Sequence, residues 1–396
     1  MINILVTGNG FDIAHGLKTS YSEFINFCES VVEIILVKGV ESDFILSEKE
    51  LKSYKKILEG KINNKEIENK IIDFFNSTTI EHTLKKDLAQ KCKDNYWLKY
   101  IRQNKESLGN HWCELEYIIQ KHIDALAFWS NNPDKTDAEI QYYKDEKFLS
   151  YVYEIYIQDN QDEHNKTIEN VKENMLNSLK DLSYILEIYL CDFLNENDQP
   201  LDIIKSINPD YLLTFNYTDT YQSVYKNIPE SKIHYVHGKA VSGRDVVENN
   251  MVFGITDSVN YTTDEDKYDY VDFQKYYQRI VKKTGNNYKL WLRNNSHKKN
   301  VFIYGHSLDP SDANIFKDFV KDDKTTLFIF YYNNKALNSI VLNLIKIFGQ
   351  ENMITFTNDN KIHFIKSDDI NKVNEILNDL RFSEGFECPS SWEQLK

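Results

Sequence analysis

The sequence is short of positive charge: 47 Lys and Arg stand against 61 Asp and Glu, a formal net charge of -14. Such a balance offers no broad cationic face to a phosphate backbone, so salt-dependent, sequence-independent binding to duplex DNA is not expected. No stretch of about 18 consecutive apolar residues occurs, which argues against a membrane-spanning helix. The five cysteines, Cys28, Cys92, Cys113, Cys191 and Cys388, show no paired spacing. Neither a disulfide framework nor a zinc site is expected from them, and reduced thiols in a cytoplasmic protein fit best. The first residues lack the cationic and small-residue flanks of a leader, and their apolar run reads as a strand. Internal repeats are missing too.

What is present begins with that run. Ile2 to Thr7 is followed by Gly8-Asn9-Gly10-Phe11-Asp12 and by His15 and Gly16. A buried parallel strand, a glycine turn and a helix read this way. Glycines there let backbone N–H groups approach a phosphate, so the stretch is expected to form one wall of a nucleotide pocket. The dinucleotide fingerprint is incomplete. Ile13 occupies the place of its third small residue, and no acidic residue closes a second strand about 20 residues later. An ordinary dehydrogenase is thereby disfavoured.

Along the chain, Tyr21 to Val37 has helical spacing, and strand character is missing from about Glu41 to Asn197. Within that stretch Trp112, Leu115, Ile119, His122 and Leu126 form one stripe. A second runs Ile168, Val171, Met175, Leu179, Leu182, Leu186, Tyr189 and Phe193, a long seam that packs within the chain or against a second copy. Asn131 to Lys147 reads as a loop. Short apolar runs return at Tyr211–Phe215, Ile233–Val236, Val252–Ile255, Val301–Tyr304, Leu327–Tyr332, Ile354–Thr357 and Ile362–Ile365. Helical patterns at Ala313–Val320 and Ala336–Phe348 separate several of them. Strands alternating with helices predict an α/β fold with a Rossmann-like parallel sheet. Its domain is expected to join residues 1–40 with about 200–366, leaving 41–199 as a large helical insertion and 367–396 as a C-terminal tail.

In open α/β sheets the ligand sits beyond the carboxyl ends of the strands. Four marked loops follow predicted strands: Gly8–His15, Asn216–Thr220, His237–Gly238 and Gly305–Ser307. Their polar groups are expected to converge on one crevice. Asn216 ends a strand, either as a turn former or as an amide that holds a ribose or a water. His234 and His237 lie three apart on a strand and point to opposite faces, so they are not a two-ligand metal site. His237, beside Gly238, has room for substrate. Gly305-His306-Ser307-Leu308 lacks the second glycine of a nucleophile elbow, and Ser307 reads as a ligand contact. Asp312 opens a helix pattern, where a carboxylate at the helix start is the commoner role. Glu116 lies one helical turn after Trp112.

Gly8-Asn9-Gly10-Phe11-Asp12-x-x-His15-Gly16-Leu17-x-Thr19-x-Tyr21 resembles the opening of the AbiH family, bacterial proteins of abortive phage infection. Trp112-x-x-x-Glu116, Phe215-Asn216-Tyr217-Thr218-x-Thr220, His237-Gly238 and Gly305-His306-Ser307-Leu308-x-x-x-Asp312 fit it as well, in order. A second, fainter pattern is similar to the sirtuin-like NAD-consuming fold: Gly8, Gly10 and Gly16, then Thr214 and Asn216, then His237 and Gly238, then Gly305 and Ser307. This sequence departs from it at Thr218, where sirtuin-like proteins carry Asp, and at His15-Gly16-Leu17-Lys18.

The resemblance implies an antiphage effector that hydrolyses NAD at the nicotinamide–ribose bond. His237 and Asn216 would be its catalytic pair. Gly8, Asn9, Gly10, Phe11, Asp12, His15, Thr214, Gly305, Ser307 and Asp312 would bind the nucleotide. NAD is then substrate or ligand, and no separate cofactor or metal is called for. The implied partners are an NAD-like nucleotide, a phage-derived trigger or partner defence protein, and a second copy of the chain. A nucleotide- or nucleic-acid-cleaving effector using His15, Asp12 and His237, or a non-catalytic nucleotide sensor, are the alternatives.

Overall fold

The computed structural model describes residues 1–38, 65–109, 111, 114–130, 147–161, 168–194, 199–243, 247–255, 269–293 and 297–385. The chain divides into two compact units, each assembled from separate segments. The first holds Met1–Leu17, Glu196–Val236 and Gly285–Lys396; the second holds Lys18–Asn195 and His237–Thr284.

The first unit is built on six parallel strands: β1 (Ile2–Thr7), β2 (Tyr211–Thr214), β3 (Ile233–Tyr235), β4 (Lys299–Tyr304), β5 (Thr325–Tyr331) and β6 (Ile362–Lys366). Their order is β3-β2-β1-β4-β5-β6, the order of doubly wound Rossmann-like sheets. β1 is central, with Leu5 opposite Leu212 of β2 and Phe302 of β4. Alternate residues feed two cores, as the strand period requires. Ile4, Val6, Leu213, Val301, Ile303, Leu327 and Ile329 share one face with Phe316, Phe319 and Leu344. Leu5, Leu212, Phe302 and Phe328 share the other with Phe11, Ile204, Tyr221 and Val373. Both faces are covered, which is why these strands read as continuous apolar runs.

Several expectations are corrected. Ile354–Thr357 is not a strand but part of the helix Gln350–Asn358. Its alternating pattern misleads: the helix buries Met353 and leaves Ile354 exposed, while the Thr355 and Thr357 hydroxyls bond back to the Glu351 and Met353 carbonyls. Val252–Ile255 is not a strand either. Gln278 takes the place of a neighbouring strand, its Oε1 accepting from the Phe253 N–H and its Nε2 donating to the Phe253 carbonyl. Unit boundaries also differ from those expected. The helix Tyr21–Lys38 and residues 237–284 belong to the second unit, and 367–396 to the first, where Val373 and Leu377 enter the core.

The second unit is helical. The long helix Ile168–Ile188 runs on into a π-helical turn, Tyr189–Phe193. Its seam is buried within this unit, against the helices His82–Asp94, Tyr96–Leu108 and Leu115–Ser130. Phe27 packs on Tyr189 and Phe193 at ring separations of 4.9 and 4.6 Å. Trp112, Cys113, Cys388 and all but the last residue of the expected loop Asn131–Lys147 lie outside the described residues. Among the described residues, no helix is long and apolar enough to cross a membrane.

His122 is fully buried here, its Nδ1 donating to the Ile118 carbonyl at 2.8 Å and its ring 4.2 Å from that of Tyr100. Burial pushes its pKa down to about 4, against the opposing pull of the Ile118 bond. The folded state therefore resists a proton that the unfolded chain accepts below about 6.5. Stability should be full above that pH and fall progressively towards pH 4, by roughly 3 kcal/mol at one pKa unit per 1.36 kcal/mol. Urea midpoints at pH 7 and pH 4.5 should show this loss, and His122→Phe should remove most of it. An unchanged slope in the variant would mean that other groups carry the acid sensitivity.

Candidate functional site

At the carboxyl ends of β1, β2 and β3 the first unit has a small cleft lined largely by polar side chains. Its floor and walls are Thr7, Phe11, Asp12, Leu212, Thr214, Asn216, Thr218, Asp219, Thr220, Tyr221 and Tyr235.

Asn216 sits one residue beyond Phe215 at the end of β2 and is buried. Its side-chain amide donates to the Gly8 carbonyl at 3.0 Å, and its backbone N–H donates to Thr214 Oγ1 at 3.1 Å. The β1 and β2 loops are thus tied together by the amide, whose orientation is fixed before any ligand arrives. Asp12 lies on the short helix Asn9–Ala14 and is 1% exposed. Its Oδ2 accepts from the Thr218 hydroxyl at 2.6 Å, and Thr218 in turn accepts from the Thr220 hydroxyl at 3.0 Å. Oδ1 has no hydrogen-bond partner among the described residues. Burial pushes the Asp12 pKa up to about 6; Thr218, Thr220 and Asn216 pull it down, and the nearby Asp219 charge adds to the rise.

The glycines turn out to serve backbone approach. The Gly10 N–H donates to the Gly305 carbonyl at 2.8 Å, and Gly8 N–H reaches the Tyr304 carbonyl at 3.3 Å. A Cβ on Gly8 would stand 2.8 Å from Gly305 O, and one on Gly10 2.8 Å from Gly305 Cα. In place of a turn whose amides are left for a phosphate, the β1 and β4 loops form a tight seam. The sheet order reverses between β1 and β4, where ligands of such folds commonly sit. Here the cleft lies one strand over, on the β1–β2–β3 side.

Of the residues singled out in the sequence, Phe11, Asp12, Thr214 and Asn216 share the cleft, with Gly8 bonded to Asn216. Asn9 is exposed on the short helix. His15 is packed rather than presented: its Nδ1 bonds to the Phe11 carbonyl and its Nε2 to Tyr225 Oη, with burial lowering its pKa. His306 is held by the Leu308 N–H and stands 3.6 Å from Asp312 Oδ2, with its ring 4.2 Å from that of Phe215. Ser307 is exposed, its carbonyl accepting from Asn343 Nδ2. His237 and Gly238 belong to the second unit, where the His237 carbonyl accepts from the Val252 N–H. Glu116 also belongs there, paired with Lys275 at 2.8 Å. Asp219, Tyr221 and Tyr235 were not anticipated individually. Thr218 and Thr220 belong to the marked loop Asn216–Thr220, and its Thr-x-Thr, one residue beyond Asn216, is the signal that points to them.

Among the described residues, no group of three or more His, Cys, Asp and Glu is placed to hold a metal ion. A family model described as Bacteriophage abortive infection AbiH matches residues 4–332 of the chain. No curated protein and no solved structure matches it.

Proposed function

Because the chain belongs to the AbiH family and its function is of the abortive-infection kind, we propose that it acts as an antiphage effector by hydrolysing NAD at the nicotinamide–ribose bond. The observation that supports this reading best is Asn216: a buried amide, fixed by Gly8 and Thr214, on the wall of the cleft at the strand ends. The bond to be broken has a leaving group that is already cationic, so little acid assistance is needed. The barrier lies in the oxocarbenium-like sugar, as in glycoside hydrolysis. A prealigned amide lowers that barrier by holding the ribose and the attacking water without reorganising. The resemblance assigns the proton acceptor to His237, and that assignment is tested by its own variant.

The test is nicotinamide release from NAD by purified protein. Asn216→Ala should lose about 10²-fold or more of kcat/KM, the scale of removing one preorganised polar group, while its urea midpoint stays close to that of the wild type. His237→Ala is expected to lose about 10²–10⁴-fold if it is the base. Wild-type protein that binds NAD tightly without releasing nicotinamide would make the chain a nucleotide sensor instead. Turnover unchanged in Asn216→Ala would overturn the reading.

A further inference from the structure

Resting on that reading of the cleft, we propose that Asp12 is a catalytic carboxylate whose Oδ1 faces the sugar carbon as it becomes cationic. The geometry divides the two oxygens. Oδ2 is committed to the Thr218 hydroxyl, which is itself held by Thr220. Oδ1 is buried, without a hydrogen-bond partner among the described residues, on a residue that lines the cleft. A carboxylate that served only the fold would have both oxygens satisfied, because a buried unpaired acceptor is costly.

The step balances as follows. The C1′–N bond breaks and its electron pair passes to the nicotinamide nitrogen, which leaves neutral. A water oxygen bonds to C1′, and the water gives up one of its two protons to the base assigned above. Asp12 is not consumed; in its ionised form it opposes the charge that develops on the sugar.

Ionisation of Asp12 then governs the acid side of the pH profile. Asp219 after β2, Tyr235 on β3, Tyr221 on the helix Thr220–Tyr225 and His15 beside the same short helix are the other titratable groups near it. Burial pushes both phenols up and His15 down. Asp12, at about 6, therefore titrates in the range where activity would change.

The experiment measures nicotinamide release between pH 5 and 8, and ADP-ribose binding by calorimetry. Wild-type kcat/KM should fall as pH drops through about 6. Asp12→Asn should lose about 10²–10³-fold at pH 7.5 and lose the acid limb, with ADP-ribose affinity within about threefold, since the uncharged product sugar needs no counter-charge. Thr218→Val removes a hydrogen bond to the charged form, so its acid limb should move to higher pH. If Asp12→Asn fails to fold, the Thr218→Val shift decides alone. Asp12→Asn with wild-type turnover and pH profile, while Asn216→Ala is inactive, would overturn this proposal and leave the NAD reading standing. Absence of both nicotinamide release and ADP-ribose binding in the wild type would overturn both.

Discussion

Gly305→Ala should remove most of the stability of the sheet unit, by roughly 4 kcal/mol or more. Three terms add. The backbone at Gly305 is left-handed, with φ at +70°, which costs a residue bearing Cβ about 1–2 kcal/mol. The new methyl would stand 2.1 Å from Phe11 N and 2.4 Å from the Gly10 carbonyl carbon. Both are backbone atoms, so no side chain can swing away, and overpacking of this kind costs about 1–3 kcal/mol or more. Displacement also stretches the 2.8 Å bond from Gly10 to the Gly305 carbonyl, worth about 1 kcal/mol. Domains have only about 5–15 kcal/mol in total, so the variant should be poorly soluble or unfold at much lower urea. Gly243→Ala is the control. Its φ is +81°, but among the described residues nothing lies within 4 Å of the added Cβ, so only the conformational term of about 1–2 kcal/mol remains. Equal urea midpoints for the two variants would mean that the loops do not meet as described.

The second large effect concerns a buried ion pair. Lys299 opens β4 with its side chain 0% exposed, and its Nζ lies 2.6 Å from Asp322 Oδ2. Asp322 is 17% exposed. Burial pushes its pKa up, but the Lys299 ammonium, the Lys324 amide and the Thr325 hydroxyl outweigh that and hold it below its ordinary value. Single replacements should therefore be unequal. Asp322→Ala strands an ammonium with no route to water and should cost about 3–5 kcal/mol. Lys299→Met leaves behind a carboxylate that keeps two local donors and some solvent, so its cost should be smaller. Lys299→Met with Asp322→Leu should recover much of the loss, because an apolar pair of similar volume replaces both charges. Chemical denaturation of the three variants at pH 7 checks the order. Equal costs for the two single variants would show that burial does not set the asymmetry.

Much of the sheet was legible because its strands are buried on both faces. Ile4-Leu5-Val6 and Val301-Phe302-Ile303 carry no polar residue to obscure them. Ile354-Thr355-Phe356-Thr357 misled because a strand's alternation and one exposed helical turn look alike over four residues. The return of residues 237–284 to the helical unit left no mark in composition. In the cleft, Asp12 and Asn216 could be named because polar residues between apolar runs are hard to explain as packing. The Asp12–Thr218 bond could not be, since it joins residues 206 positions apart. The glycines carried an ambiguous message. A turn that must admit a phosphate and one that must admit another backbone need the same missing side chain, and only the position of Gly305 separates them.

The central place of β1 also dictates an order of events during synthesis. β1 pairs with β2 at Tyr211–Thr214 and with β4 at Lys299–Tyr304, both of which are made long after it. At roughly 5–20 residues per second, its second neighbour follows it from the ribosome by about 15–60 s. During that interval the Gly8–Gly10 turn has no Gly305 to close against, and Asp12 has no Thr218 until β2 has passed. A chain whose function is tied to abortive infection thus carries its central strand as an unpaired nascent segment, and its cleft takes shape only once β2 and β3 have followed.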